Sequence, residues 1–267
     1  MFTDNDLNVR CDLLRSLHVP GAPLVLPNAW DVATARAVVA AGFPVVATTS
    51  GGVAAALGYE DHEGAPAEEM LAAAARIGGN VDVPLTVDAE AGYGMEPAGL
   101  VAALKDAGAA GCNLEDTNHA TGRLREPAQQ ADWLRAVREA ASEADYGLVI
   151  NARIDVFLAA LLSGSDEGTQ AELVPDALPR AEAYVEAGVD CVFPIALWEP
   201  GALATFISQA PCPVNVLGLP RAPSLGELGE LGAARVSYGS LLHREAMEQF
   251  GRVLAELAAD AAVGNRD

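Results

Sequence analysis

The chain has 267 residues, 51% of them hydrophobic and 20% charged, which is enough for one large core. Its formal net charge of −21 argues against partners that are nucleic acids or anionic membranes. There is one lysine, Lys105, and it lies on a helical stretch rather than at a strand end, so lysine-imine chemistry is disfavoured. No apolar run approaches the roughly 18 residues of a bilayer span. Met1 to Arg10 is polar and acidic, unlike a signal peptide. Cys11, Cys112, Cys191 and Cys212 are dispersed, as reduced packing residues are, so the expected location is cytoplasmic.

In chain order, apolar periodicity predicts a flanking helix over 4–17. Pro23–Pro27 reads as the first strand, followed by Asn28-Ala29-Trp30 and a helix from Val32 to Ala41 capped by Asp31. Pro44–Thr48 is the second strand. A long loop, 49–65, follows it with Ser50-Gly51-Gly52 and Tyr59-Glu60-Asp61-His62, and then a helix from Pro66 to Ile77. The third strand is Pro84–Asp88, with a helix from Pro97 to Ala107. The fourth is Gly111–Glu115, with a loop over 116–126 and a helix opened by Pro127. Gly147–Asn151, Cys191–Pro194, Pro213–Leu217 and Arg235–Ser237 complete the strands, with helices between them and a last helix from Leu241 to Ala259. Four helix-to-strand joints share one signal: Ala41-Gly42, Ala107-Gly108, Ala187-Gly188 and Leu231-Gly232. Eight strand-then-helix units predict an α/β fold, a closed (β/α)8 TIM-type barrel forming one domain over 1–267. An open dinucleotide-binding sheet lacks its Gly-x-Gly-x-x-Gly after the first strand.

Such barrels place chemistry at the C-terminal strand ends. Asn28, Ser50, Asp61, Asp88, Glu90, Glu115, Arg153 and Asn215 collect there. Asp88 and Glu90, two apart, would share one face of a strand. Clustered acids repel unless a cation joins them, and their hard oxygens suit Mg²⁺ or Mn²⁺. Arg153 shares strand parity with Asn151 and suits a bidentate grip on a carboxylate. The Ser50-Gly51-Gly52 turn can bring backbone N–H groups onto an anion. Trp30 and Asn215 are further candidate substrate contacts. A cation beside an anion-binding corner suits a 2-oxo acid, chelated through its carboxylate and carbonyl, whose cleavage leaves an enolate.

The runs Val45–Ala55 and Leu57–Asp61, Asp88-Ala89-Glu90-Ala91-Gly92-Tyr93-Gly94, Asn113-Leu114-Glu115-Asp116 and Asn151-Ala152-Arg153-Ile154-Asp155 resemble the isocitrate lyase/phosphoenolpyruvate mutase superfamily. The likeness runs in order from about Pro23 to Leu257. It implies a barrel with its C-terminal helix swapped between subunits, usually a tetramer, and a Mg²⁺-bound 2-oxo acid. It implies Asp88 as the direct metal ligand and Asp61, Glu90 and Glu115 as ligands through water. Arg153 and Ser50-Gly51-Gly52 would hold the substrate. Lyases of the superfamily carry a Lys-Arg-Cys-Gly-His-like loop after the fourth strand, and its phosphonate enzymes place a lysine there. Here the loop reads Thr117-Asn118-His119-Ala120-Thr121-Gly122-Arg123-Leu124-Arg125-Glu126, with neither cysteine nor lysine. His119 is its one side chain with an ordinary pKa near neutrality and is the candidate acid/base. Arg123 and Arg125 are candidates for a second anion.

Three functions follow as expectations. The first is a Mg²⁺-dependent carbon–carbon lyase or decarboxylase of a small 2-oxo (di)carboxylic acid, with Arg153, His119 and Glu115 as its catalytic residues. The second is a phosphonopyruvate hydrolase or mutase-type carbon–phosphorus enzyme. The third is a 2-oxo acid binding protein with little activity.

Overall fold

The computed structural model describes residues 4–165 and 167–264. Its core is a ring of eight parallel strands. β1 is Leu24–Leu26 and resumes after Pro27 as Asn28–Ala29; β2 is Val46–Thr48, β3 Leu85–Asp88 and β4 Ala109–Glu115. β5 is Val149–Ile154, β6 Cys191–Pro194, β7 Asn215–Leu217 and β8 Arg235–Ser237. β1 through β6 pair in sequence, and β8 lies between β1 and β7. A single bridge, Val192 to Val214, closes the ring between β6 and β7. The predicted barrel is therefore present, with β5 reaching past Asn151 to include Arg153.

The joint glycines explain the repeated turns. Gly42, Gly108, Gly188 and Gly232 have φ of 90°, 69°, 96° and 93°, the left-handed geometry that ends a helix and sends the chain back into the sheet. The flanking helix Asp4–Ser16 plugs the N-terminal end of the barrel. Leu14 is fully buried, and a Cβ on Gly111 would sit 2.8 Å from its Cδ2. Arg15 bonds Asp190 at 2.8 Å and the Gly147 carbonyl at 2.8 Å, tying the helix to the entrances of β5 and β6. Lys105 bonds Asp4 and the Ala144 carbonyl at this same end, away from the strand ends where chemistry is expected.

Two segments differ from expectation. Residues 49–65 do not form one long loop, because Ser50–Leu57 is a helix with Thr49 at its N-cap. Val53 and Ala54 bury against Ala65 and Met70, with Trp30 packed alongside, and this packing outweighs the weak helix propensity of two glycines. The loop after β4 contains an antiparallel hairpin, Thr117–Asn118 with Arg123–Leu124. The last helix, Leu241–Gly264, exposes Met247, Phe250, Leu254 and Leu257 along one stripe. No helix among the described residues is long and apolar enough to cross a membrane.

Candidate active site

Asp88 closes β3, where its N–H donates to Thr48 Oγ1 at 2.9 Å. Its carboxylate accepts from the Ser50 N–H at 3.0 Å and lies 3.4 Å from the Asn113 amide nitrogen. Ser50 begins the 50–57 helix, so Asp88 faces a helix N-terminus, where negative charge is favoured. Gly51 and Gly52 hold the next two N–H groups, which have no partner within a helix by position. The predicted Ser50-Gly51-Gly52 turn is thus corrected to a helix start. A Cβ on Gly51 would fall 2.6 Å from Asp61 Oδ2 and 2.7 Å from Ser240 Oγ, so glycine here admits the Asp61 carboxylate to the helix end.

Glu90 is buried but does not share a strand face with Asp88. The strand stops at Asp88, and Glu90 takes φ 49°, which turns its side chain by a different route. The Glu63 N–H donates to Glu90 Oε2, and Glu63 Oε1 accepts from the Tyr93 N–H at 2.6 Å. These bonds lock the segment around Asp61 to the segment after β3. His62, Glu63, Glu90 and Tyr93 all hold positive φ without being glycine, a concentration of strain that marks functional regions. Burial pushes the Glu90 carboxyl up to about 8; the Glu63 N–H opposes this, and the charges of Asp88, Asp61 and Glu115 reinforce it.

Glu115 and Arg153 face each other at the ends of β4 and β5, in register. Arg153 Nη1 pairs with Glu115, while Nε and Nη2 hold Asp155 at 2.6 and 2.9 Å. The expected grip on a substrate carboxylate is therefore largely turned inward, because Asp155, two residues on, competes for it. Three of roughly five N–H donors are spent and the rest stay available. Burial disfavours the Arg153 cation, but Asp155 and Glu115 outweigh this and raise its pKa. His119 Nε2 lies 2.5 Å from Glu115 Oε1. Burial alone would lower the His119 pKa; the bond and charge of Glu115 raise it instead. Burial raises the Glu115 pKa, and Arg153 opposes the rise. The structure thus joins the three residues expected to be catalytic into one contiguous group.

Other candidates fall elsewhere. Asn215 opens β7 rather than ending it and is fully buried, its amide bonded to Ser237 Oγ at 3.1 Å, so it is a barrel-interior residue and not a mouth contact. Trp30 stands with its ring 5.0 Å from His243 and its Cβ against Gly52, supporting the 50–57 helix. Asn28 bonds the Thr48 carbonyl at 2.6 Å and accepts from the Tyr238 N–H, stitching β1 to its neighbours. Arg125 binds Gln130 at 2.9 Å and covers the Trp133 ring, and Arg123 lines an outer groove with Asn118 and Thr121. Neither lines the cavity that contains Arg153.

Sequence reasoning missed three supports. Asp116, fully buried, accepts from Arg180 at 2.9 Å, Tyr184 at 2.7 Å and the Asp155 N–H at 2.9 Å, anchoring both the 116–126 loop and the partner of Arg153. Glu63 is the second. The third is Arg235, fully buried inside the barrel, whose Nη2 donates to Asn113 Oδ1 at 3.1 Å. Only adjacency to an acidic motif could have flagged Asp116; the others depend on contacts distant in sequence.

The four acids suit a hard cation. Asp61 Oδ1 is buried with no hydrogen-bond partner, and the Glu90 carboxyl is held high beside three other acids. Among the described residues no three His, Cys, Asp or Glu side chains converge as direct ligands. A hard cation such as Mg²⁺, which keeps much of its water, would take one or two of the four acids directly.

The profile of the phosphoenolpyruvate phosphomutase family matches residues 14–258. The chain belongs to this family. An uncharacterized protein of Mycobacterium tuberculosis is 36% identical over 225 residues, covering 84% of this chain and 81% of the relative. A protein of Corynebacterium glutamicum named probable 2-methylisocitrate lyase 2 is 32% identical over 246 residues, covering 87% of this chain and 76% of the relative. The crystal structure of a candidate phosphonomutase from Burkholderia cenocepacia J2315 superposes with a TM-score of 0.87 at 40% identity, covering 93% of this chain and 100% of that one. The chain is thereby an enzyme of the isocitrate lyase/phosphoenolpyruvate mutase superfamily, a group of Mg²⁺-dependent lyases and mutases.

Proposed function

We propose that this protein is a Mg²⁺-dependent carbon–carbon lyase or decarboxylase acting on a small 2-oxo dicarboxylic acid through an enolate-type intermediate. The observation that carries the reading is the undercompensated acid cluster, with Asp61 Oδ1 unpartnered beside Asp88 and Glu90, next to the Glu115–Arg153–His119 group. Asp88 would hold the cation directly and Asp61, Glu90 and Glu115 through water. When bound, the cation supplies a Lewis acid for the 2-oxo carbonyl. The N–H groups of Gly51 and Gly52 and the remaining Arg153 donors orient the substrate carboxylate. His119, sharing a proton with Glu115, protonates C3 after the bond breaks.

The four cysteines are unpaired and none takes the role of the absent loop cysteine. Burial pushes the Cys11 and Cys112 thiols up to about 12, and Cys191 is raised by the same cause. Decarboxylation fits this inventory because it demands no protein nucleophile. Four free thiols also fit a reducing, cytoplasmic setting. Purified protein with Mg²⁺ should turn over oxaloacetate or a C3-alkylated oxaloacetate faster than Mg²⁺ alone and stop with a chelator; no turnover of any such substrate sinks the reading. A second reading, carbon–phosphorus cleavage, draws on the family match and predicts phosphate release from phosphonopyruvate. A third, a 2-oxo acid binder, predicts Mg²⁺-dependent thermal stabilisation without product.

The C-terminal helix supports a swapped, tetrameric assembly of this chain. Met247, Phe250, Leu254 and Leu257 recur at helical spacing and stay 48% to 58% exposed in the single chain. Phe250→Glu with Leu254→Glu should shift the sedimentation profile to smaller species, and an unchanged profile would remove the helix from the interface.

A further inference from the structure

Beside the His119–Glu115–Arg153 group lies a cavity of about 380 Å³. Arg153 and His119 line its inner end. Its outer wall is built by Leu124 of the hairpin and by Leu158, Ala159 and Leu162 of the helix Val156–Leu162 that follows β5. Leu162 lies four residues from Leu158 and three from Ala159, so the three side chains fall within one face of the helix.

The polar groups of this cavity are mostly committed. Thr117 Oγ1 donates to Asp155 Oδ2 at 2.5 Å, and Arg153 is shared between Asp155 and Glu115. The His62 ring stands against His119, with centroids 5.4 Å apart. Arg153 is the one arginine on the lining, no lysine is there, and both arginines of the hairpin segment face elsewhere. Arg153, His119 and His62 are the cationic or titratable donors of the lining, and a second carboxylate or a phosphonate placed outward beyond them, along Leu124, Leu158 and Leu162, would meet leucine with no arginine or lysine to hold it. An aliphatic group there gains, each buried methylene being worth roughly fourfold in affinity.

We propose that this cavity selects the substituent on C3 of the 2-oxo acid, and that the substituent is a short, uncharged aliphatic chain. The substrate class is then a C3-alkylated oxaloacetate type rather than a longer 2-oxo diacid. The inference rests on the reading of the mouth as a 2-oxo acid site, and the test separates the two.

Binding of pyruvate, 2-oxobutanoate, 2-oxopentanoate and 2-oxoglutarate is measured calorimetrically in the presence of Mg²⁺. Affinity should rise along the first three by roughly fourfold per methylene. 2-Oxoglutarate, with the same chain length as 2-oxopentanoate but a terminal carboxylate, should bind roughly tenfold or more weakly than it. Leu162 is 74% exposed, so Leu162→Arg leaves the core intact while offering a guanidinium at the rim; it should reverse the preference between those two acids. A flat series, tighter binding of 2-oxoglutarate by the native chain, or an unchanged order in Leu162→Arg overturns the proposal while leaving the 2-oxo acid site standing. No binding of any of the four, pyruvate included, overturns the site reading and the proposal with it.

Discussion

Replacing Gly51 by alanine probes the acid cluster without replacing an acid. The added Cβ would lie 2.6 Å from Asp61 Oδ2, 3.1 Å from Asp61 Cγ and 2.7 Å from Ser240 Oγ. Ordinary contact begins at 3.4 Å, so the Asp61 carboxylate must retreat by about 0.8 Å from the helix start. Overpacking of this kind costs about 1–3 kcal/mol. If Asp61 steadies the cation through water, displacing it should weaken Mg²⁺ binding roughly 10–100-fold, as loss of an outer ligand does elsewhere. Titration calorimetry with Mg²⁺ reads this directly, and circular dichroism confirms the helix. The double variant Gly51→Ala with Asp61→Ala decides the mechanism, since residues acting through one interaction are not additive. Gly51→Ala should add almost nothing to the loss already caused by Asp61→Ala. Full additivity, or Mg²⁺ affinity unchanged in Gly51→Ala alone, would refute the reasoning.

Further outcomes follow from other groups. His119→Gln should lower kcat by roughly 10²–10⁴-fold with pyruvate affinity nearly unchanged, and equal losses in both would make His119 a binding group instead. Tyr184→Phe removes one bond to the buried Asp116 carboxylate, and chemical unfolding should show a loss of about 1.5–3 kcal/mol; no measurable loss would mean that Arg180 and the Asp155 N–H suffice to satisfy Asp116. His18 is buried with Nδ1 on the Leu14 carbonyl at 2.8 Å, and burial together with Arg235 pushes its pKa down to about 4. The fold therefore disfavours its cation: this contribution is complete above the unfolded value near 6.5 and lost as pH falls toward 4, by up to ~3 kcal/mol. His18→Gln should flatten the stability profile across that interval, and an unaltered slope would assign acid sensitivity to other groups.

The barrel was legible because its signals are local. Short apolar runs mark the strands, and before four of them an Ala-Gly or Leu-Gly joint marks the entry, its glycine adopting the left-handed turn that the joint predicts. The 50–57 helix was not legible, since Ser-Gly-Gly locally favours a turn and only the packing of Val53 and Ala54 makes it helical. Asn215 shows a different limit: strand parity gives the face a residue occupies but not its depth, and Asn215 enters at the start of β7. At Glu90 the parity argument ended where the strand did. Arg153 was expected at a strand end as a grip on a substrate carboxylate; its register with Glu115 and its bond to Asp155, just beyond the strand, were not legible. Asp116, Arg180 and Tyr184 meet across more than sixty residues, a separation that no local pattern encodes.

Enolate chemistry is the centre of the account, and exchange of the pyruvate methyl protons in D₂O tests it without knowledge of the native substrate. Proton NMR should show exchange that requires both the protein and Mg²⁺, stops with chelator, and is lost in Asp88→Asn. Pyruvate that binds in the presence of Mg²⁺ yet exchanges no faster than in buffer with Mg²⁺ alone would contradict it.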